Sequence, residues 1–386
     1  MLFTGHVGVK ARVVGRTVVV GSSQLITTLS ALAYLRWRGI QASVLRIVSL
    51  KAGDLIHASS AFEQELQRVA TAEGHRCIVQ SHGPSPLGSE PLHCDLLLLP
   101  RLDDQEGQTL LAACPAAEVV ELGESIGVET RLYSFSARRT RSRALQALRA
   151  RHGPDGFTLA PLIPIHRDVE VSRLRCLLEL CSAFRRQIET AGRSPEALPS
   201  DAALVCLPYL KVRSWRWRFK LAGRQLGWRQ PPQLLNLAYI RAALNPLFKC
   251  QGGQGQAVWI QAHPKNHRHR ELIQVALQPM AGSGSARLQV LDGTAPLEVL
   301  LTQQLMAGPA QGTVAGFGTN LLSAAVFLHP HADRVQLCAA PHGKGPMRWW
   351  WRTFTALFQR RELLRRRHVQ TTLTNLQSAF QQLNAQ

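Results

Sequence analysis

The chain has 386 residues, 45% of them apolar, with 45 Lys and Arg against 25 Asp and Glu, a formal charge of +20. That length suits two domains, and the composition excludes a disordered, collagenous or disulfide-stapled chain. The charge predicts an anionic partner: nucleic acid, a membrane surface or a phosphorylated ligand.

Short apolar runs alternate with amphipathic stretches. Thr17–Val20 reads as a buried β-branched strand ending in Gly21-Ser22-Ser23. A helix follows, with Leu25, Leu29, Leu32 and Leu35 on one face, up to Gly39. Ala42–Leu50 is the next strand and Ala61–Thr71 the next helix. Asp95–Leu99 and Ala117–Leu122 are apolar strands, while Arg138–Arg151 and Val171–Ala191 are helices. Asp103-Asp104-Gln-Glu-Gly107 opens the helical Gln108–Ala113, where acids favour the helix dipole, so it reads as structural. After a Pro, Gly and Ser-rich linker at 191–200 the pattern restarts. Ala203–Leu207, Ala257–Gln261, Ala286–Leu291 and Gly312–Gly316 are strands, Thr319–Leu328 is a helix, and 347–383 is helical. Fully apolar strands alternating with helices predict parallel sheets covered on both faces.

The expectation is therefore an α/β protein with two Rossmann-like domains facing a cleft. Residues 1–195 form an acceptor-side domain, 201–346 a donor domain, and 347–386 a basic helical segment. From Pro208 onward there are 22 Lys and Arg against five acids, so +17 of the +20 lies in the second half. The eight cysteines include no Cys-x-x-Cys pair and read as buried reduced thiols, which implies a reducing compartment. No apolar run approaches the roughly 20 residues that a bilayer-spanning helix needs. The expected address is the cytoplasm, extending to the inner membrane face.

Ligands of open α/β sheets bind beyond the carboxyl ends of strands. Three strand ends carry suitable chemistry. In Val119-Val-Glu-Leu-Gly-Glu-Ser-Ile-Gly127, a strand enters a turn holding Glu121, Gly123, Glu124 and Gly127. A carboxylate held there could take a proton from a hydroxyl, or simply be solvated at an ordinary junction. In Trp259-Ile-Gln-Ala-His-Pro-Lys-Asn-His-Arg-His-Arg-Glu271, a strand delivers His263, followed by Pro264 and Lys265. Zinc on His263, His267 and His269 lacks a carboxylate or cysteine at the usual spacing. An exposed basic loop and a phosphate site both stay open. In Gly312-Thr-Val-Ala-Gly-Phe-Gly-Thr-Asn-Leu-Leu-Ser323, a strand leads through Gly316, Gly318, Thr319 and Asn320 into a helix. Such a turn can bind an anion or be a plain N-cap.

In this order the set resembles bacterial sialyltransferases, in particular the α-2,8-polysialyltransferase-like family with a GT-B fold. Val18-Val-Val-Gly-Ser-Ser-Gln-Leu25, with Ser22, Ser23 and Gln24, is similar to the family's opening strand and turn. Gly123-Glu-Ser-Ile-Gly127 is similar to its acidic motif, His263-Pro264 to its His-Pro motif, and 316–323 to its Ser-Ser/Thr motif. Ala295-Pro-Leu-Glu-Val-Leu-Leu301, with Glu298, is similar to a Pro-x-Glu helix start between the last two. The resemblance implies transfer of a sialic-acid-type sugar from a CMP-activated donor to a glycan or glycolipid acceptor, without metal or cofactor. It makes Glu124 the general base, preferred over Glu121 because that register keeps Gly127. It makes His263 the donor to the leaving phosphate, with Thr319 as the phosphate-side hydroxyl. Two departures stand out: Ser125 follows Glu124 where glycine is usual, and Gly318-Thr319 lacks one hydroxyl.

The remaining basic charge is interleaved with aromatics. Lys211-Val-Arg-Ser-Trp-Arg-Trp-Arg-Phe-Lys220 is one such segment, and Met347–Phe354, with Trp349, Trp350 and Trp351, is another. Gln359–His368 adds Arg365, Arg366 and Arg367. A solvated basic face, an anionic membrane surface and a polyanionic acceptor all fit this composition. Nucleic acid fits less well, since no helix-turn-helix, zinc-finger or RNP-type signature is present. Two other function classes stand beside sialyl transfer. One is a GT-B transferase using another nucleotide sugar; the other is a non-catalytic protein binding nucleic acid or anionic membrane.

Overall fold

The computed structural model describes residues 13–22, 25–49, 60–81, 92–115, 117–123, 135–160 and 171–192 of the first half. In the second half it describes 202–207, 210, 212–213, 216–221, 224–229, 233–234, 241, 258–263, 266, 269–280, 288–291, 299–300, 312–316, 335–337, 378, 381–382 and 385.

Six strands form the first sheet: β1 (Val13–Gly21), β2 (Ile40–Ser49), β3 (Cys77–Ser81), β4 (Leu96–Leu99), β5 (Glu118–Glu121) and β6 (Thr158–Leu159). Their order is β3-β2-β1-β4-β5-β6, with every neighbour parallel. This is the doubly wound order of Rossmann-like sheets, with its switch point between β1 and β4. The helices are α1 (Leu25–Arg38), α2 (Ser60–Ala72), α3 (Gln105–Ala113), α4 (Phe135–His152) and α5 (Val171–Thr190).

Strand alternation sends side chains to two separate cores. Val18, Val20, Leu96, Leu98 and Val120 share one cluster with residues of α1, α2 and α5. Val19, Val48, Leu97, Leu99 and Val119 share the other with Leu110 and Leu111 of α3 and Leu148 of α4. Leu96 to Leu99 are each 0% exposed, which is why four consecutive leucines form a strand here. Each such side chain contributes about 2 kcal/mol of burial.

Local signals set the helix ends. Gly39, at φ +67°, stops α1 after Arg36 and Arg38, which suit the negative end of the helix dipole. Asp104 caps α3, its Oδ1 accepting the Gly107 N–H at 2.7 Å, as the acid-rich start predicts. Helix α5 is pinned by Arg173, buried 5.4 Å from the Tyr34 ring centre and donating to Ser30 Oγ at 3.3 Å.

The second half begins with β7 (Ala203–Cys206), followed by four short strands: β8 (Val212–Arg213), β9 (Arg216–Leu221), β10 (Arg224–Arg229) and β11 (Gln233–Leu234). Then come β12 (Val258–Gln261), α6 (Arg270–Leu277), β13 (Leu288–Val290), β14 (Val314–Gly316) and β15 (Val335–Leu337). Strands β13-β12-β7-β14-β15 make a second sheet in which every neighbour is again parallel. Counted along the chain within that sheet, the order repeats the doubly wound arrangement of the first, with its switch point between β7 and β14. Ala203, Val205, Val258, Ile260, Leu288 and Val290 pack with Ile273 and Leu277 of α6. Leu204, Cys206 and Val314 belong to the cluster that also contains α5.

Helix α6 also closes the edge of this sheet. Gln274 Nε2 donates to Leu288 O and Gln274 Oε1 accepts the Val290 N–H, both at 2.8 Å, while Arg270 Nε donates to Val290 O at 2.9 Å. These side chains take the place of a further strand and leave β13 no open edge there.

The predicted strands and helices of the first half all occur, with ends moved by at most four residues. The helix expected at 319–328 lies outside the described residues. So does most of 347–383, within which Ser378, Gln381 and Gln382 are helical. Of the linker, Ala191 and Gly192 form a turn and 193–200 lies outside. Among the described residues no helix is long and apolar enough to cross a membrane.

Candidate functional site

At the second sheet's carboxyl edge, register aligns Gln261, Cys206 and Gly316 in one row across β12, β7 and β14. Strands β12 and β14 flank β7, so their ends stand two strand spacings apart, about 10 Å. His263 lies two residues beyond Gln261. The structure thus brings His263 and Gly316, two of the predicted site residues, to the two sides of a doubly wound switch point. Pro264, Lys265, His267, Glu298, Gly318, Thr319 and Asn320 lie outside the described residues. His269 is the N-cap residue of α6 and makes no side-chain cap bond. Among the described residues no three His, Cys, Asp or Glu side chains are grouped as metal ligands would be.

The His263 loop is fixed by a residue that sequence reasoning passed over. Asn266 is 1% exposed, and its N–H donates to His263 O at 2.7 Å. Its side chain accepts the Leu210 N–H at 2.8 Å and donates to Leu210 O at 2.7 Å. One amide group therefore replaces a strand partner for Leu210 and ties the segment after β7 to the loop after β12. The Leu207 N–H donates to Gln261 O at 2.9 Å and begins the same tie. In sequence Asn266 stands among histidines and arginines and looks like one more polar loop residue.

The first sheet's carboxyl edge holds the other described candidates. Ser22 follows β1, buried, with its N–H on Val48 O at 2.9 Å and its Oγ accepting from Thr28 Oγ1 at 2.9 Å. Gly21 admits no larger residue easily: a Cβ there would lie 2.4 Å from Leu110 Cδ1 and 2.8 Å from Leu99 Cδ2. Across β4 stands Glu121, then Gly123 at φ +83°, a left-handed turn that glycine adopts without strain. Ser23, Gln24, Glu124 and Gly127 lie outside the described residues.

Glu121, the alternative base, is 3% exposed, and both of its oxygens are occupied. Oε2 accepts the Leu102 N–H at 2.8 Å, and Oε1 is paired with the Arg141 guanidinium. Arg141, on α4, also reaches Asp103 Oδ1 at 3.1 Å, and Arg101 grips Asp103 at 3.0 and 2.7 Å. Burial pushes the Glu121 carboxyl above its ordinary range, and Arg141 and the Leu102 N–H only partly offset this. Asp103 feels burial too, yet its bonds to Arg101 and the charges of Arg101 and Arg141 hold it below the ordinary range. The group works as a buried tie between the β4 loop, β5 and α4. Arg141 carries no signal in sequence, because it sits among five other arginines of an evidently basic helix.

Each sheet thus offers a carboxyl edge at a switch point, one beside a set of paired acids and one with an imidazole near a glycine strand end. That chemistry suits binding a phosphorylated ligand and moving a proton. Comparison with family models, curated proteins and solved structures finds no match to this chain.

Proposed function

We propose that the chain is a GT-B-like glycosyltransferase that moves a sialic-acid-type sugar from a CMP-activated donor to a hydroxyl of a glycan or glycolipid. The observation that carries the reading is the second doubly wound sheet, with His263 and Gly316 on either side of its switch strand. That is where a nucleotide would bind in such a sheet. The half that contains it holds +17 of the chain's charge, which suits a nucleotide phosphate.

In this reading Glu124 takes the proton from the acceptor hydroxyl. The acceptor oxygen attacks the anomeric carbon, and the bond from that carbon to the CMP phosphate oxygen breaks. His263 donates a hydrogen bond to the departing phosphate, with Lys265, Thr319, Asn320 and Glu298 around the donor. Ser22, Ser23, Gln24, Gly123 and Gly127 shape the facing side of the cleft. The displacement needs no metal. The basic segment 347–386, through Trp349 to Trp351 and Arg365 to Arg367, would hold the enzyme at an anionic membrane face in the cytoplasm.

The test is nucleotide release. Purified protein should liberate CMP from CMP-sialic acid, and Glu124→Gln or His263→Ala should lower the rate about 100-fold or more, the scale of a lost acid–base group. No release from any CMP-sugar, together with tight binding of DNA or RNA, would refute it. A screen of nucleotide sugars for a raised Tm identifies the donor independently of turnover.

A further inference from the structure

The segment before β4 and the end of α3 meet at the amino edge of the first sheet, opposite the edge that holds Ser22 and Glu121. The Leu92 N–H donates to Ala113 O at 2.8 Å. The Asp95 N–H donates to Thr17 O at 2.9 Å, and Asp95 Oδ2 accepts the Thr17 N–H at 2.7 Å. The Glu118 N–H donates to Asp95 O at 3.0 Å. In turn the Cys114 N–H donates to Leu110 O at 3.0 Å, and Cys114 O accepts the Ala117 N–H at 3.3 Å. These backbone bonds fix the positions of Cys94 and Cys114 from both sides.

The two thiols meet between those bonds. Neither is in a disulfide, and both are buried in the core cluster of Leu97, Leu99 and Leu110. Their sulfurs share a hydrogen bond. Cys94 Sγ also lies 3.1 Å from Leu96 O, a contact that orients it. The shared bond raises the Cys94 thiol above its ordinary range and holds Cys114 below it, so Cys114 is the one that ionises first. Burial instead pushes the Cys77 thiol up to about 12 and raises that of Cys176, so neither offers a thiolate. The cover over the pair is thin: His93, Ala112 and Pro115 are all exposed.

We propose that Cys94 and Cys114 form an oxidation site, where a hydroperoxide converts the pair to a disulfide that ties the start of β4 to the end of α3. The Cys114 thiolate attacks a peroxide oxygen and the O–O bond breaks. Cys114 becomes a sulfenic acid, and the departing hydroxide takes up a proton as water. Cys94 Sγ then attacks Cys114 Sγ, gives up its proton and displaces the sulfenic hydroxyl as a second water. The two thiols lose two protons and two electrons, and the peroxide is reduced to water. Contact already held by the backbone makes the second step a unimolecular one between placed groups. The closed loop carries β4, α3 and the residues Arg101 to Asp103, which the Glu121 tie uses. Constraining it in the unfolded chain favours the folded, oxidised form. Both sulfurs lie away from the carboxyl edge, and the proposal does not depend on the transferase reading.

The test uses the full-length protein, reduced, freed of reductant and exposed to hydrogen peroxide. Peptide mapping after blocking the remaining thiols should find Cys94 linked to Cys114 in most molecules, and dithiothreitol should release both. The oxidised protein should melt about 3 °C or more above the reduced one. Cys94→Ala should leave Cys114 as a sulfenic acid that dimedone labels at least tenfold more than Cys77, while Cys114→Ala should leave Cys94 unlabelled. The cross-link is read without turnover, so absent CMP release bears on the transferase reading alone. Recovery of both thiols reduced, under peroxide exposure that oxidises free cysteine, overturns the proposal even if the variants fail to fold. A cross-link from either cysteine to a third one overturns it, as does an oxidised form that melts below the reduced one.

Discussion

Asn266→Ala removes the amide that closes both polar groups of Leu210. Leu210 is 1% exposed, so its N–H and C=O cannot turn to water without opening the loop. Bonds of 2.8 and 2.7 Å are lost. Each buried group left unpaired costs about 1–3 kcal/mol, and two of them set an expected loss of about 2–6 kcal/mol. At about 1.36 kcal/mol per tenfold, that is about 30- to 30,000-fold faster amide exchange at Leu210 and Leu207 if the loop opens locally. Asn266→Asp keeps an acceptor for the Leu210 N–H but sets a carboxylate oxygen against Leu210 O. It should cost at least as much at neutral pH and less in acid, where the protonated carboxyl can donate. The assay is site-resolved hydrogen exchange on the folded protein, with CMP release followed in parallel because His263 belongs to the same loop. Exchange at 207–210 within threefold of the native rate would refute the clamp.

Three further outcomes follow from the geometry. Gly312→Ala should destabilise more than Gly21→Ala in denaturant midpoint, because a Cβ at 312 would lie 2.0 Å from the Ala202 backbone oxygen, whereas at 21 it meets leucine methyls. The leucine side chains can shift at a cost of about 1–3 kcal/mol, whereas the Ala202 backbone, one residue before β7, is held by the strand it enters. Asp103 has a depressed folded value, so its contribution is present above its unfolded value and lost as pH falls through the folded one. Asp103→Asn should therefore flatten the acid limb of Tm against pH. Glu121 has a raised folded value, so its contribution is full below its unfolded value and lost as pH rises through the folded one. Glu121→Gln should remove a decline in Tm that the native protein shows as pH rises above the ordinary carboxylate range.

Much of the fold is legible in the chain. Leu96–Leu99 can only be a strand buried on both faces, and Asp104 and Gly39 mark helix ends by their own chemistry. The site is legible in part. The strand-end rule selects His263 and Gly316, which lie on the two sides of one switch strand. It also selects Glu121, whose oxygens the fold commits to Leu102 and Arg141.

What the sequence determined by itself was therefore local: period, caps, buried strands and the placing of +17 in the second half. These depend on backbone geometry and on transfer of apolar side chains from water, which neighbours along the chain already decide. Only the tertiary structure decided strand order and partners distant in sequence. Arg141 lies 20 residues from Glu121, and Asn266 lies 56 from Leu210. Both pairs form because a buried polar group must find a partner wherever the closed chain brings one within reach.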